Sequence, residues 1–280
     1  MNMDTIRTDR ILSEYDSSLR GPVALEELNG IWKYRDLIYQ LIRRDIVSRY
    51  KRSALGIAWT MLNPLGMMIV LSVVFSQVFH SLPGYPAYIL SGLVSWNFFA
   101  QTTNTAMGQM IWGSSLLHRI YMPRTSFVVS AVGTGLVNLT LSLVPLILIT
   151  LLVGLPIHWT ILFLPVSIIL MVAFSLGVAL LLSAWAIYFP DVSEMYQVGL
   201  IAWMYLTPVI YPLNIIPERF LFLFHLNPMF YMVQIFRLPV YEGVLPSWHL
   251  WLPAVLISVV TLSLGWIIFS SRADDFTYRT

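Results

Sequence analysis

TSFVVSAVGTGLVNLTLSLVPLILITLLVGLPIHWTILFLPVSIILMVAFSLGVALLLSAWAIY, residues 125–188, contains no Asp, Glu, Lys or Arg. About 20 consecutive apolar residues are enough for one helix to cross a bilayer. This stretch holds two such runs, divided by Gly154, Pro156 and His158, a grouping that reads as a turn. Helices of this length without a charge are stable with lipid as their solvent.

The same pattern extends outward. Leu55 to Phe79 is a first charge-free run, long enough to span with some tilt. His80 to Gly84, with Pro83 and Gly84, reads as a tight turn. Tyr85 to Trp112 is the second run, and Gly113 to Arg124 is a short polar connection. After the opening pair come a loop from Ala186 to Glu194, a shorter fifth span from Met195 to Tyr211 and a last span from Leu250 to Phe269. Residues 212–248 are apolar and aromatic but broken by Pro212, Pro217, Pro228, Pro239 and Pro246. Two readings stand for them: short helices that dip into the membrane and return, or an amphipathic loop on the outer surface. The first requires that irregular backbone be buried in protein or line water.

Charge sets the orientation. Of the chain's 280 residues 58% are hydrophobic and 11% charged, against about 25% charged in soluble domains. Ten of the 16 basic residues precede Leu55. Six spans put both termini on one side. With that side cytoplasmic, only Arg219 and Arg237 fall outside, which satisfies the positive-inside rule. Residues 1–30 carry charges without an apolar stretch, so they do not read as a cleaved signal peptide.

Trp32 to Arg52 follows a helical period. Ile31, Tyr34, Ile38, Leu41, Ile42, Ile46 and Tyr50 share one face, and Lys33, Arg43, Arg44, Arg49, Lys51 and Arg52 occupy the rest. This is the pattern of a helix lying in the membrane interface. Its basic face is either a plain topology anchor or a site for a diphosphate-bearing lipid, since guanidinium forks bind phosphate bidentately.

Several function classes are disfavoured. The absence of cysteine removes disulfides, thiol nucleophiles and cysteine metal sites. The first four spans hold no Asp, Glu, Lys or Arg of the kind that proton- or ion-coupled carriers use. No H-E-x-x-H, Ser-His-Asp arrangement or carboxylate pair falls at membrane depth. There is no G-x-x-x-x-G-K-[ST], and Lys33 and Lys51 are the only lysines. A pump built on this chain needs its motor on another polypeptide.

What the interior does contain is amides, hydroxyls and aromatics. Asn97, Gln101, Thr105 and Gln109 recur four residues apart on one helix face, and Trp96, Phe98 and Phe99 flank its start. The first span adds Trp59, Asn63 and Pro64, and the fifth adds Trp203, Tyr205 and Thr207. Such groups are either glue between helices or the lining of a path for a hydroxyl-rich polymer. In the second case amides would exchange hydrogen bonds with it and rings would pack on sugars. Trp112, Trp159 and Trp251 at span ends read as interfacial belts.

Arg43-Arg44-Asp45-Ile46 through Arg49-Tyr50-Lys51, then Leu55-Gly56-Ile57-Ala58-Trp59 and Asn63-Pro64, resembles the opening of ABC-2 type permeases that export bacterial polysaccharides: O-antigen, capsule and teichoic acid. Leu116-Leu117-His118-Arg119-Ile120-Tyr121-Met122-Pro123-Arg124 is similar to that family's cytoplasmic segment before the third span. Tyr188-Phe189-Pro190-Asp191-Val192, Thr207-Pro208-Val209-Ile210-Tyr211-Pro212, Leu226-Asn227-Pro228-Met229 and Phe236-Arg237 continue the match. Pro190 stands where the family usually has Arg, and residues 1–30 match nothing in it.

The resemblance implies an all-α integral membrane protein of six transmembrane helices with both termini cytoplasmic. A polar extension (1–30) leads to an amphipathic interface helix (31–53), a six-span domain (55–270) and a cytoplasmic tail (271–280). Two copies would pair around a channel in the bacterial cytoplasmic membrane, with two ATP-binding cassette subunits beneath. ATP and magnesium would be held by those subunits, and no cofactor by this chain. The interface helix and Leu116, Leu117, His118, Arg119, Ile120 and Tyr121 would contact the ATPase. Re-entrant helices between the fifth and sixth spans, around Pro212, Pro217, Asn227, Pro228 and Arg237, would form an outer gate. The substrate would be a lipid-linked polysaccharide. Its diphosphate would lie near Arg43, Arg44, Arg49, Lys51 and Arg52, and its sugars along Trp59, Asn63, Trp96, Asn97, Phe98, Phe99, Gln101, Trp203 and Tyr205. Membrane lipids are expected partners and nucleic acid is not. A drug or lipid permease of the same fold, a secondary carrier and a membrane enzyme are the competing readings.

Overall fold

The computed structural model describes residues 23–51, 53–80, 82–112 and 123–272, and all regular structure among them is helical. Ten α-helices follow in order: α1 (Val23–Lys33), α2 (Arg35–Tyr50), α3 (Trp59–Phe75), α4 (Tyr85–Trp112), α5 (Thr125–Leu152), α6 (Leu164–Ala186), α7 (Val192–Tyr205), α8 (Leu221–Leu226), α9 (Pro228–Arg237) and α10 (Trp248–Ser271).

Among the described residues four segments are long and apolar enough to cross a membrane by length and composition: Gly56–Phe75, Thr125–Leu152, Trp159–Ala186 and Trp248–Ser271. Two of the six expected spans fall outside this set, for different reasons. Helix α7 has 14 residues, a rise of about 21 Å, short of the roughly 30 Å hydrocarbon core. Helix α4 has 28 residues but is more polar, and it is the central pole of the bundle. Helices α3, α5, α6, α7 and α9 all pack against it. Ile89, Leu90, Leu93, Trp96, Phe98, Phe99 and Met107 are buried there. Its hydroxyls turn back on its own backbone: Ser91 Oγ donates to Tyr88 O at 2.7 Å, Ser95 Oγ to Gly92 O at 2.9 Å and Thr103 Oγ1 to Phe99 O at 2.9 Å. A helix surrounded by protein needs no lipophilic exterior.

Helices α6 and α10 pack closest. A Cβ placed on Gly177 would lie 2.5 Å from the backbone carbonyl of Thr261, and Gly265 in turn abuts Gly177 O. Where lipid is as apolar as leucine, small residues that let backbones touch supply the association.

Helices α1 and α2 correct the expectation of one interface helix starting near Trp32. Residues 23–30, part of the stretch expected to be a polar extension, are helical, and the backbone turns at Tyr34 (φ −99°, ψ 18°). The expected faces are present on α2. Ile38 and Leu41 are buried, Ile42 reaches Gly133 of α5, and Arg43, Arg44 and Arg49 are exposed.

Contacts define two ends. At one, Trp266 Nε1 donates to Ala24 O at 3.2 Å and the Arg272 guanidinium lies 5.6 Å from the Tyr188 ring centre. At the other, Tyr85 OH donates to Ile210 O at 3.0 Å, Tyr241 OH to Pro83 O at 2.6 Å and Thr160 Oγ1 to Pro239 O at 2.9 Å. Gly84 closes the expected turn with φ +66°, a conformation open to glycine.

The proline-broken segment is not a surface loop throughout. After short 3₁₀ turns at Leu213–Ile215 and Glu218–Phe220 come α8 and then α9, followed by a π-helical turn, Leu238–Glu242. Met229, Met232, Val233, Ile235, Phe236 and Arg237 are all buried, so α9 is enclosed nearly all round.

Candidate functional site: a polar lane and a buried guanidinium

The amide row on α4 changes character along its length. At one end Asn97 and Gln101 border a small, partly open cavity of about 20 Å³ with Thr60, Pro64, Asn138 and Ser142 of α3 and α5. Asn138 Oδ1 is buried there without a hydrogen-bond partner. A cavity of this size admits about one water. Two turns on, Thr105 and Gln109 open into a cleft of about 370 Å³ shared with Asp45, Ser48 and Arg49 of α2. Gln109 Nε2 donates to Asp45 Oδ2 at 2.5 Å, and Ser130 Oγ to Gln109 Oε1 at 3.3 Å. Asp45 is itself paired with Arg44, Nη2 to Oδ1 at 2.9 Å. Arg49, which lines the cleft, has no carboxylate partner among the described residues, and Asp45 is already paired with Arg44, so the mouth carries a net positive charge; Arg43 is exposed on the same helix but does not line the cleft. Lys51 is exposed nearby, and Arg52 lies outside the described residues.

The aromatic candidates divide. Trp96, Phe98 and Phe99 are 4%, 4% and 1% exposed and belong to the protomer's interior, where Phe98 borders the cavity beside Asn97 and Gln101. Trp96 and Phe99 pack edge-on against Trp203, and Phe99 stacks on Phe174 at 5.4 Å. Trp203 is half-buried and also donates Nε1–H to Asn227 Oδ1 at 2.7 Å. Trp59, Asn63 and Tyr205 are exposed on the protomer. Leu116, Leu117, His118, Arg119, Ile120 and Tyr121 lie outside the described residues.

At the other end of the bundle Asn227 and Arg237 hold the broken segment. Asn227 caps α9, accepting from Met229 N at 3.0 Å. Its Nδ2 donates to Leu206 O at 3.0 Å and Thr207 Oγ1 at 2.9 Å. One amide thus ties the start of α9 to the end of α7. Asn227→Ala should lower stability by about 1–2 kcal/mol, the range for a lost helix cap. A melting curve of the detergent-purified protein measures it, and an unchanged midpoint would mean water replaces the side chain.

Arg237, fully buried, closes α9. Nη1 donates to Tyr88 OH and Pro208 O, both at 2.7 Å; Nη2 donates to Val209 O at 2.8 Å; Nε donates to Ser91 Oγ at 3.3 Å. The guanidinium carbon stands 3.8 Å from the Tyr88 ring centre, close enough for cation–π attraction. Gly92 makes the room: a Cβ there would meet Val209 O at 2.6 Å and collide with Nη2. Pro212 and Pro217 bound the 3₁₀ turn between them, Leu213–Ile215, and Pro217 is exposed. Sequence reasoning finds Arg237 but misses its cage of Tyr88, Ser91 and Gly92. An arginine in so apolar a segment is the signal that partners must exist.

A protein whose described residues are helical, with several bilayer-length apolar helices, an interior polar face and a helix with exposed arginines before the first of them, is an integral membrane protein of the transporter kind. The family model for ABC-2 type transporters matches residues 36–241, and the chain belongs to that family. It is similar to the O-antigen export system permease protein RfbA of Myxococcus xanthus, 30% identical over 88% of this chain and 96% of that protein. The protein of the same name from Klebsiella pneumoniae is 27% identical over 82% and 90%. The polysialic acid transport protein KpsM of Escherichia coli is 23% identical over 84% and 92%.

Proposed function

We propose that this protein is the transmembrane half of an ATP-driven exporter that moves a lipid-linked polysaccharide, O-antigen or a similar glycan, across the bacterial cytoplasmic membrane. Two copies enclose the channel, and two separate ATP-binding cassette subunits bind and hydrolyse ATP with magnesium. The polar lane carries the reading. It runs along one helix face from a net-positive cleft beside the interface helix to a small, partly open, amide-lined cavity. A glycan that bears a lipid diphosphate presents the complementary chemistry: anionic oxygens for the Arg49 guanidinium at the mouth and for exposed Arg43 on the same helix, hydroxyls for amides farther in.

The six crossings are α3, α4, α5, α6, α7 extended by residues 206–211, and α10. The end that holds α1 and α2 faces the cytoplasm, in keeping with the distribution of basic residues. Buried α9 and the turns before it form a re-entrant outer gate. The domain limits follow the sequence reading, except that the helical part before the six-span region includes residues 23–30. The segment containing Leu116 to Tyr121 brings its apolar side chains to the ATPase, since apolar groups in a cytoplasmic loop call for a partner. ATP-driven closure of the motor pair shifts this end of the bundle and widens the lane.

Arg43→Gln with Arg49→Gln tests the reading. Arg44 is left in place because it neutralises Asp45. In proteoliposomes with the ATPase subunit, stimulation of hydrolysis by the lipid-linked glycan should fall about tenfold, as expected for about 1.4 kcal/mol of lost binding. Basal hydrolysis should hold. An equal fall in both would reduce the basic face to a topology anchor.

A further inference from the structure

Helix α1 takes no part in the polar lane, yet its contacts are specific. Glu27 Oε2 accepts from Thr125 Oγ1 at 2.5 Å, at the first turn of α5. Arg124, immediately before it, is 8% exposed, and no side chain of α5's own caps that helix start. The Glu27 carboxylate therefore supplies, from another helix, the negative charge that a helix N-terminus favours. Burial lowers the pKa of the Arg124 guanidinium and the Glu27 charge raises it again. Gly30 is pressed against Pro123, where a Cβ would lie 2.5 Å from Pro123 Cγ. On the opposite flank α1 packs on α10, with the Ala24 carbonyl accepting from Trp266 Nε1 at 3.2 Å. A single short helix thus grips the beginning of α5 and the final turns of α10, which are far apart in sequence.

We propose that α1 is a coupling brace, in which Glu27 is a positioning residue that makes α5 and α10 move together when the cytoplasmic end of the bundle is displaced. This rests on the exporter reading above. Helix α10 is itself locked to α6 through Gly265 and Gly177, so a push delivered near Pro123 reaches three long helices through α1. Without Glu27, α5 could shift alone and the stroke would be lost inside the bundle. Glu27 touches no substrate. Its effect falls on glycan moved per ATP hydrolysed.

The experiment uses the full-length protein reconstituted with its ATPase subunit in liposomes, with lipid-linked glycan as substrate. Glu27→Ala should lower the glycan moved per ATP about tenfold, the size of a typical coupling energy. ATPase association and hydrolysis should stay at the wild-type level. Glu27→Gln, which keeps an oxygen for Thr125 but loses the charge, should fall between the two. Thr125→Val removes the partner from the α5 side and decides the matter if Glu27→Ala is recovered only as aggregate. Combining Glu27→Ala with Thr125→Val should cost no more than Glu27→Ala alone. Transport and hydrolysis that fall in the same proportion, release of the ATPase, or unchanged transport per ATP would each overturn the proposal. A wild-type complex that moves no glycan with ATP would instead sink the exporter reading, and the brace with it.

Discussion

Arg237→Met should lower the stability of the protein by about 2–4 kcal/mol, the largest loss expected from any conservative change of a single side chain here. The substitution strands two backbone carbonyls, Pro208 O and Val209 O, in a site closed to water. Each stranded acceptor costs about 1–3 kcal/mol. The hydroxyls of Tyr88 and Ser91 lose a donor as well. Against this stands the recovered cost of burying a cation, which caps the net loss. Arg237→Lys should be intermediate, because an ammonium cannot fork between Pro208 O, Val209 O and Tyr88 OH at once. Thermal unfolding in detergent measures the series. Equal midpoints for wild type and Arg237→Met would mean that the charge costs as much as it contributes, and the residue would then no longer count as the clamp of the outer segment.

Gly177→Leu is the second large effect. Its side chain would have to occupy the place of the Thr261 and Leu262 backbone. Backbone cannot swing aside as a long side chain does, so α6 and α10 must separate. Overpacking costs about 1–3 kcal/mol in ordinary cores and more where backbone is the obstacle. Replacing a mid-helix glycine by alanine recovers at most about 1 kcal/mol of helix propensity. Even Gly177→Ala should therefore destabilise. Gly108→Ala in α4 is the control, since a Cβ there meets nothing within 4 Å. It should be neutral or slightly stabilising. A Gly177→Leu protein that melts with wild type would show the α6–α10 contact to be looser than described.

Much of the architecture is legible in the sequence because lipid imposes simple rules. The charge-free run 125–188 resolves into α5 and α6 with a turn where Gly154 and Pro156 predict one. Helix α4 starts at Tyr85, as expected for the second run, and Gly84 makes the turn before it. The cap that Asn227 places on α9, with Pro228 in its first turn, comes from the structure and is not part of the sequence reading. The limits of sequence reasoning are equally specific. Trp96 and Phe99 read as channel lining, because an aromatic near the start of a helix looks the same facing a sugar or facing Phe174 and Trp203. Only packing separates the two. Helix α1 escapes a sequence reading because a short amphipathic helix gains its stability from tertiary contacts such as Glu27 with Thr125, which no local pattern announces. The fifth span reads through to Tyr211, whereas α7 stops at Tyr205 and turns lead from there to Pro208 and Val209. Those two carbonyls are needed by an arginine nearly thirty residues later in the sequence, a demand invisible from their own neighbourhood.

On the central proposal, the helices of this protein form a conduit for a lipid-linked glycan, driven by ATP hydrolysed on another subunit. Inverted membrane vesicles that contain the protein and its ATPase partner test it most directly, with labelled lipid-linked glycan presented on the outside. ATP should drive label into the lumen, omitting either subunit should abolish the uptake, and dissipating the proton gradient should leave it unchanged. Uptake that proceeds without the ATPase and collapses with the proton gradient, or no uptake from the complete system, would contradict it.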